Sequence, residues 1–256
     1  MAEQQVGRRQ RRRQETIEEI LDVSVEVMAE NGAGGLALGE IARRMGIQPP
    51  SLYVYFNSKS AIYDAVFARG WTALLDSMAP LGQRLDEMEN TADAPELLLI
   101  VAQHFTRWAV ENRPYAELMF WRPVPGYQPS KAAYEPAVEM SRRSTQLFAE
   151  LQRRGVVRAN VDAAEVSTAW TTLISGVISQ HLSNEPTQTF DRGRFISLLP
   201  ALTSMFLAYY GPKGERDDRT SHGGPGVDTA ATRSPRGGEA GHGATQRDAR
   251  GPSRAR

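Results

Sequence analysis

Apolar residues recur every three to four positions along most of the first 210 residues, and no stretch alternates with period two, so the pattern predicts an all-α chain. Ile17, Ile20, Leu21, Val25 and Met28 mark a first helix over about 13–31, closed at Asn31-Gly32 because glycine tolerates the left-handed cap conformation. Leu38, Ile41, Ala42 and Met45 share one face of a short second helix. Gly46 then permits a tight turn, Ile47 returns to the core, and another short helix runs through Ser51, Leu52, Tyr53 and Tyr55. Two short helices joined by a glycine-containing turn make a helix-turn-helix over about 36–56, a unit whose second helix fits the major groove of DNA.

Ser58 is placed to cap a fourth helix carrying Ile62, Tyr63, Val66 and Phe67, which continues past Trp71 until Pro80-Leu81-Gly82 breaks or kinks it. Pro95 suits the first turn of the next helix, which bears Leu97, Val101, Phe105 and Trp108 and ends near Pro114. An aromatic segment, Tyr115 to Trp121, precedes a loop enforced by Pro123, Pro125, Gly126 and Pro129. Pro136 most simply starts a helix that turns Met140, Ser144, Leu147, Phe148 and Leu151 inward, and two final helices run over about 162–183 and 190–210. Beyond Gly211 the residues are mostly Gly, Pro, Ser, Thr, Asp and Arg, too little apolar area to offset ordering entropy, and 212–256 is expected as a disordered tail.

Composition changes this picture little, but charge placement does. Net charge is zero, yet Arg8, Arg9, Arg11, Arg12 and Arg13 face a single acid, Glu3, in the first thirteen residues, which are followed by Glu15, Glu18, Glu19 and Asp22. Residues 1–12 are therefore expected as a flexible basic arm ahead of an acidic helix face. The absence of cysteine excludes disulfides, thiol catalysis and cysteine-containing zinc sites. No apolar run approaches the length of a membrane span, and a cytoplasmic protein is the expectation. His104 and His181 lack a second ligand at metal spacing, and no phosphate loop or acid–base pair has diagnostic spacing, so neither a metal, a cofactor nor an enzymatic activity is expected.

The first 72 positions resemble the N-terminal domain of TetR-type (TetR/AcrR) transcriptional regulators. The likeness rests on Asn31-Gly32, Ile41-Ala42, Gly46-Ile47, Ser51-Leu52-Tyr53-Val54-Tyr55-Phe56 and Ser58-Lys59, in that order and spacing. Residues 95–210, particularly Glu111 to Phe120, are similar to that family's helical effector-binding and dimerisation domain. The resemblance thus implies a DNA-binding domain over 13–72 and a ligand-binding and dimerisation domain over 73–211. Two departures stand out. Ala37 replaces the hydroxyl residue that commonly opens the second helix, and Gln48-Pro49-Pro50 removes two backbone donors from the start of the third.

In this frame Gln48, Pro49 and Ser51 stand where side chains reach base edges, and Gln can pair with adenine for about 1–3 kcal/mol of discrimination. Leu52 and Phe56 are spaced to face the core, which turns Tyr53 and Tyr55 outward; the resemblance implies DNA contacts for both, and for Lys59 a phosphate contact. Arg43 and Arg44 follow an apolar stripe as candidate backbone contacts, the alternative being solvated charge. Phe105, Trp108, Tyr115, Met119, Phe120 and Trp121 are candidates for an apolar effector pocket, although any helical core uses such residues. Thr168, Thr172, Ser175 and Ser179 form a small-residue stripe that, with Leu199 and Phe206, is expected to meet a second copy. The expected function is a homodimeric repressor of a palindromic operator in double-stranded DNA, released by a small hydrophobic effector. The alternative is an effector-independent or architectural regulator whose second domain serves only dimerisation.

Overall fold

The computed structural model describes residues 2–212, with side chains from residue 7 onward. The segment from residue 213, within the expected tail, lies outside the described residues. Among the described residues all regular structure is helical: α1 (Ala2–Asn31), α2 (Leu38–Arg44), α3 (Pro49–Leu52), α4 (Lys59–Asp86), α5 (Ala94–Glu111), α6 (Arg113–Ala116), α7 (Lys131–Arg153), α8 (Ala163–Asn184) and α9 (Leu199–Tyr210). A π-helical turn, Glu117–Trp121, extends α6. No helix among the described residues is long and apolar enough to cross a membrane.

α1 corrects the flexible arm expected over 1–12, because the helix begins at Ala2. Periodicity reports burial, and this stretch has nothing to bury; Gln and Arg are nevertheless good helix formers. Arg11 Nε donates to Glu15 Oε1 at 3.0 Å and Gln14 Nε2 to Glu18 Oε1 at 2.7 Å, both i,i+4. The stop is as expected, with Gly32 at φ +77° after Asn31.

Two apolar cores result. The first holds Ile20, Met28, Leu36, Ile41, Leu52, Ile62, Val66, Phe67 and Leu74, joined by Leu118, Met119, Tyr127 and Ala133 from beyond the expected boundary at 72–73. The second is built on α5, α7, α8 and α9, with Phe148, Trp170 and Phe206 at its centre; the Trp170 and Phe206 ring centroids are 4.8 Å apart. Such aromatic pairs add about 0.5–1.5 kcal/mol beyond their buried area. α4 runs uninterrupted from one core to the other, and the described residues cluster as one compact unit. Met78, Phe105, Trp108 and Phe120 pack against both cores.

Two prolines mislead as boundary markers, whereas Pro95 does stand in the first turn of α5. Pro80 sits inside α4 and Pro136 inside α7, whose start is instead set by Ser130, its hydroxyl accepting the Ala133 N–H at 3.2 Å. Each proline withdraws one ladder bond, but burial on both sides holds the helix together. The last helix, expected from Phe190, begins only at Leu199. Gly193 lies against the His181 ring, where a Cβ would come within 2.6 Å of Nδ1, and the chain reaches α9 through two short 3-10 turns.

Leu199 and Phe206, expected at a subunit contact, are 0% and 6% exposed and belong to the second core, while Leu198, Met205 and Tyr209 project outward. The small-residue stripe of α8 does face outward: Thr168 and Thr172 are exposed, Ser175 and Ser179 half-exposed.

α2 is held on α1 by charge. Arg44 donates from Nε to Glu40 Oε1 at 2.7 Å and from Nη1 to Glu30 Oε1 at 2.9 Å, with Glu26 3.7 Å away. Hydrogen bonds from Arg43 and then Arg44 hold the Glu40 carboxyl down at about 2, against an ordinary 4.5. A depressed carboxyl stabilises the fold above its unfolded value and loses that contribution as pH falls through its folded value. The thermal-stability gap between the wild type and an Arg43→Gln/Arg44→Gln variant is therefore expected to be full above pH 4.5 and to close as pH falls toward 2. Melting temperatures across that range check it; a pH-independent gap contradicts it.

Candidate nucleic-acid interface

The turn between α2 and α3 is built on backbone bonds. The Gly46 N–H reaches Arg43 O at 3.2 Å and the Ile47 N–H reaches Ala42 O at 3.0 Å, a closure that requires Gly46 at φ +65°. At the start of α2, Ala37 is extended and supplies no side-chain cap, so its first-turn N–H groups gain no hydroxyl partner there. α3 opens at Gln48, whose side chain makes no cap bond, with Pro49 and Pro50 in the first turn. The helix is shorter than expected. After Leu52 the donors of Tyr53, Val54 and Tyr55 bond three residues back, to Pro50, Ser51 and Leu52, which tightens the chain into a 3-10-like turn.

This geometry presents a compact surface. Leu52 is buried and anchors α3 to the first core, while Gln48, Pro49 and Tyr53 are exposed and Ser51 and Tyr55 half-exposed. Val54, 70% exposed between the two tyrosines, was not singled out in the sequence; an aliphatic residue at an outward register was its only signal. Ser58 accepts the Ala61 N–H at 3.1 Å, and Lys59, exposed in the first turn of α4, holds its ammonium 5.6 Å from the Tyr63 ring centre. Charge and helix N-terminus thus act in one place, as an anion site requires. Arg13 was expected only as one of the arginines of a basic N-terminal segment. Its guanidinium lies 5.7 Å from the Tyr55 ring centre and Nη2 donates to Val54 O at 3.5 Å, bringing α1 against the end of α3.

Arg43 and Arg44 part company. Arg43 grips Glu40 with two bonds of 2.7 and 2.8 Å while remaining 71% exposed. Arg44, only 20% exposed and tied to Glu30 and Glu40, is a structural bridge rather than a surface contact. The helical spacing that made it a candidate does not reveal the carboxylates of α1 above it.

Of the six aromatic and methionine candidates, most converge beside α4. Phe120 stacks on Phe105 at 6.0 Å and meets Trp71 at 5.7 Å and Trp121 at 5.9 Å, while Trp108 lies 6.3 Å from Tyr115. Met119 is buried against Gly70, where a Cβ would lie 2.6 Å from its sulfur. Trp71 belongs to this set and was not among the expected residues, although it stands four positions after Phe67 on one helical face. Open clefts of about 460 and 290 Å³ lie elsewhere, the first along Tyr134 and Val138 of α7, the second between Lys59, Tyr63 and Tyr127.

The aromatic set is wired to the helix-turn-helix. Glu117 accepts from Arg113 Nε at 2.7 Å and from the Ala33 N–H at 3.3 Å. Arg122 closes the π-helical turn at φ +46°, a left-handed backbone that a non-glycine residue adopts only under constraint. Beyond it the Pro123 carbonyl lies against Gly34, where an added Cβ would stand 2.8 Å from it. Tyr127 donates to Asp64 at 3.0 Å. Among the described residues no group of three His, Asp or Glu is placed to hold a metal ion.

Residues 20–66 match the family model described as bacterial regulatory proteins, tetR family. The chain is similar to the uncharacterized HTH-type transcriptional regulator YobS of Bacillus subtilis (strain 168), 32% identical over 98 residues, which cover 38% of this chain and 48% of that one. It spans about half the length of the first curated relatives it matches. In fold it is similar to the putative regulatory protein SCO4313 (TM-score 0.61, 23% identity, 78% of this chain and 98% of that one). It is likewise similar to FadR from Bacillus subtilis in complex with stearoyl-CoA (TM-score 0.60, 16% identity, 75% and 97%).

Proposed function

We propose that this chain, whose residues 20–66 match the family model of bacterial tetR regulatory proteins, is a dimeric DNA-binding transcriptional repressor controlled by an apolar small molecule. The observation that carries the reading is the surface of α3: Gln48 uncommitted to a cap, Tyr53 55% exposed, and Lys59 at the adjoining helix N-terminus. Phosphate contacts from Lys59 and the tyrosines fix register, and Gln48 and Ser51 read base edges. The proposed place of action is the cytoplasm, where the chromosome is accessible.

A homodimer supplies two such surfaces for a palindromic operator, with half-sites about 34–36 Å apart. Support comes from the outward faces of α8 and α9: small side chains Thr168, Thr172, Ser175 and Ser179 on one, Leu198, Met205 and Tyr209 on the other. Small residues permit close helix approach, and the apolar ones gain by leaving water.

The effector reading rests on the junction of the two cores. Trp71, Phe105, Trp108 and Phe120 are each only partly buried there, and the Trp71 indole N–H is buried without a protein partner, as is His104 Nε2. An apolar molecule with a hydrogen-bond acceptor, such as a fatty acyl thioester, satisfies that donor; a structural neighbour was solved with stearoyl-CoA. A ligand shifts the DNA-binding equilibrium only by its difference in affinity between the two conformations.

The primary test is selection of bound fragments from random DNA by the full chain, followed by titration against salt. With about 6–10 phosphates neutralised per dimer, affinity is expected to fall about 10³–10⁵-fold between 50 and 200 mM salt. Tyr53→Ala combined with Lys59→Ala is expected to abolish selective capture in a folded protein, and a flat salt response sinks the proposal. Met205→Glu with Tyr209→Glu is expected to shift sedimentation to the monomer and to weaken operator binding in parallel; an unshifted dimer removes α9 from the interface. Saturable thermal stabilisation by stearoyl-CoA, reaching about 2.7 kcal/mol at a hundred times its Kd, is expected for the wild type and not for Trp71→Ala/Phe120→Ala. No saturable shift from any acyl ligand favours the alternative regulator whose C-terminal helices serve dimerisation alone.

A further inference from the structure

We infer that His181 is a proton-operated clasp on the connection between α8 and α9. Uptake of one proton by its buried ring converts an unfavourable contact with Glu185 into a hydrogen-bonded ion pair that fastens residues 185–194. The clasp does not depend on the DNA-binding reading above.

The surroundings of the ring suit neither neutral form. His181 is 0% exposed and stands in the last turn of α8. Its Nε2 lies 3.2 Å from the Gln188 carbonyl oxygen, and its Nδ1 lies 3.5 Å from Glu185 Oε2. Both of those oxygens only accept hydrogen bonds. A neutral imidazole carries one hydrogen, so either tautomer turns a nitrogen lone pair toward an oxygen. With the hydrogen on Nε2, at the shorter contact, Nδ1 is buried and has no hydrogen-bond partner. Gly193 covers that edge of the ring so closely that a Cβ would stand 2.6 Å from Nδ1. Only the imidazolium donates from both nitrogens, one hydrogen to the carbonyl and one to the carboxylate.

Charge around the ring is divided. Among the described residues Glu185 is the only carboxylate within 4.0 Å of its nitrogens, and the C-terminal end of α8 adds the negative pole of the helix dipole. Burial opposes the cation, as does Arg194, whose Nε lies 3.0 Å from Glu185 Oε1. The Arg194 side chain is 70% exposed and screened by water, whereas that of Glu185 is 15% exposed. The other charges of this region are engaged elsewhere. Arg107 of α5 pairs with Asp191 at 2.9 Å and Glu111 at 3.7 Å, Arg113 of α6 donates to the Pro186 carbonyl at 3.3 Å, and Arg192 is exposed. Residues 195–210 contain no acid or base besides tyrosines.

The oxygen that meets the ring also holds the far end of the segment, because Glu185 Oε2 accepts the Arg194 N–H at 2.9 Å. Next to it the Ser197 N–H bonds the Gly193 carbonyl at 3.0 Å, at the approach to α9. Closing the ring contact therefore stiffens the path into α9, the helix whose outward face is proposed above for the subunit contact.

The test follows the full chain by NMR from about pH 8 to 5, the range in which histidine side chains ordinarily change charge. The nitrogen resonances of the His181 ring are expected to show a neutral form with hydrogen on Nε2 giving way to a form protonated on both nitrogens. Exchange protection of the Arg194 and Ser197 amides, taken relative to the unstructured chain at each pH, is expected to rise with it roughly tenfold, as one hydrogen bond between charged groups contributes. In Glu185→Gln the ring is expected to titrate without the amides following. In His181→Gln the amide protection is expected to show no such rise. Circular dichroism confirms that each variant is folded, and the wild-type titration decides the matter where a variant is not. A ring that stays neutral until acid unfolds the protein overturns the clasp, as does amide protection that ignores the ring or rises equally in His181→Gln. Sedimentation over the same range reads the subunit contact separately. A chain that is monomeric at every pH removes the α9 interface, while the ring and amide signals still decide the clasp.

Discussion

The backbone ladder of α4 is the constraint on which the rest depends. From Lys59 to Asp86 it is one helix, so Lys59 and Trp71 are carried on the same rod, about 18 Å apart along its axis. A rod of this kind does not stretch. A tilt or rotation at the Trp71 end therefore reaches Lys59 as well. Close packing enforces the coupling: Gly70 leaves no room between α4 and the Tyr115 and Met119 side chains, so the π-helical turn and the helix move as neighbours in contact.

The sequence disclosed most of this frame where a local rule coincided with burial. Gly32, Gly46 and Ser58 take the left-handed and capping roles their residue types demand, and Leu52 is buried where its spacing placed it. It failed where structure forms without burial or where burial overrides a local preference. Residues 2–12 are helical through propensity and i,i+4 pairing and leave no apolar period to detect. Pro80 and Pro136 are absorbed because neighbouring helices hold both flanks. On α9, which starts nine residues later than expected, Leu199 and Phe206 go inward and Met205 and Tyr209 outward. Phase within a uniformly apolar helix is set by its partners, which a sequence does not display.

Charge shows the same division between type and place. Arg13, Arg43 and Arg44 are indistinguishable as residue types near a helix-turn-helix. Arg44 is consumed by Glu30 and Glu40 and holds α2 on α1. Arg43 is shared between one carboxylate and solvent. Arg13, farthest from the motif in sequence, is the one that touches the turn following α3. An arginine's role follows from which carboxylates reach it first, and those lie on elements 14 or more residues away for Arg44–Glu30.

Glu117 carries this logic to the link between the two cores. One carboxylate oxygen is committed to Arg113 and the other to the Ala33 N–H, at the turn that sets the approach of α2. The same turn is pressed by the Pro123 carbonyl from beyond a left-handed Arg122. A left-handed arginine and a π-helical turn each cost conformational free energy, so the surrounding contacts must over-determine them. Phe120 and Trp121 lie within that costly turn. Under the proposed effector response, a ligand that repacked either ring would remove part of what holds the turn in place, and its relaxation would withdraw Glu117 and Pro123 from Ala33 and Gly34 together. The strained segment is therefore where a small change in aromatic packing has the shortest path to the orientation of α2 and α3.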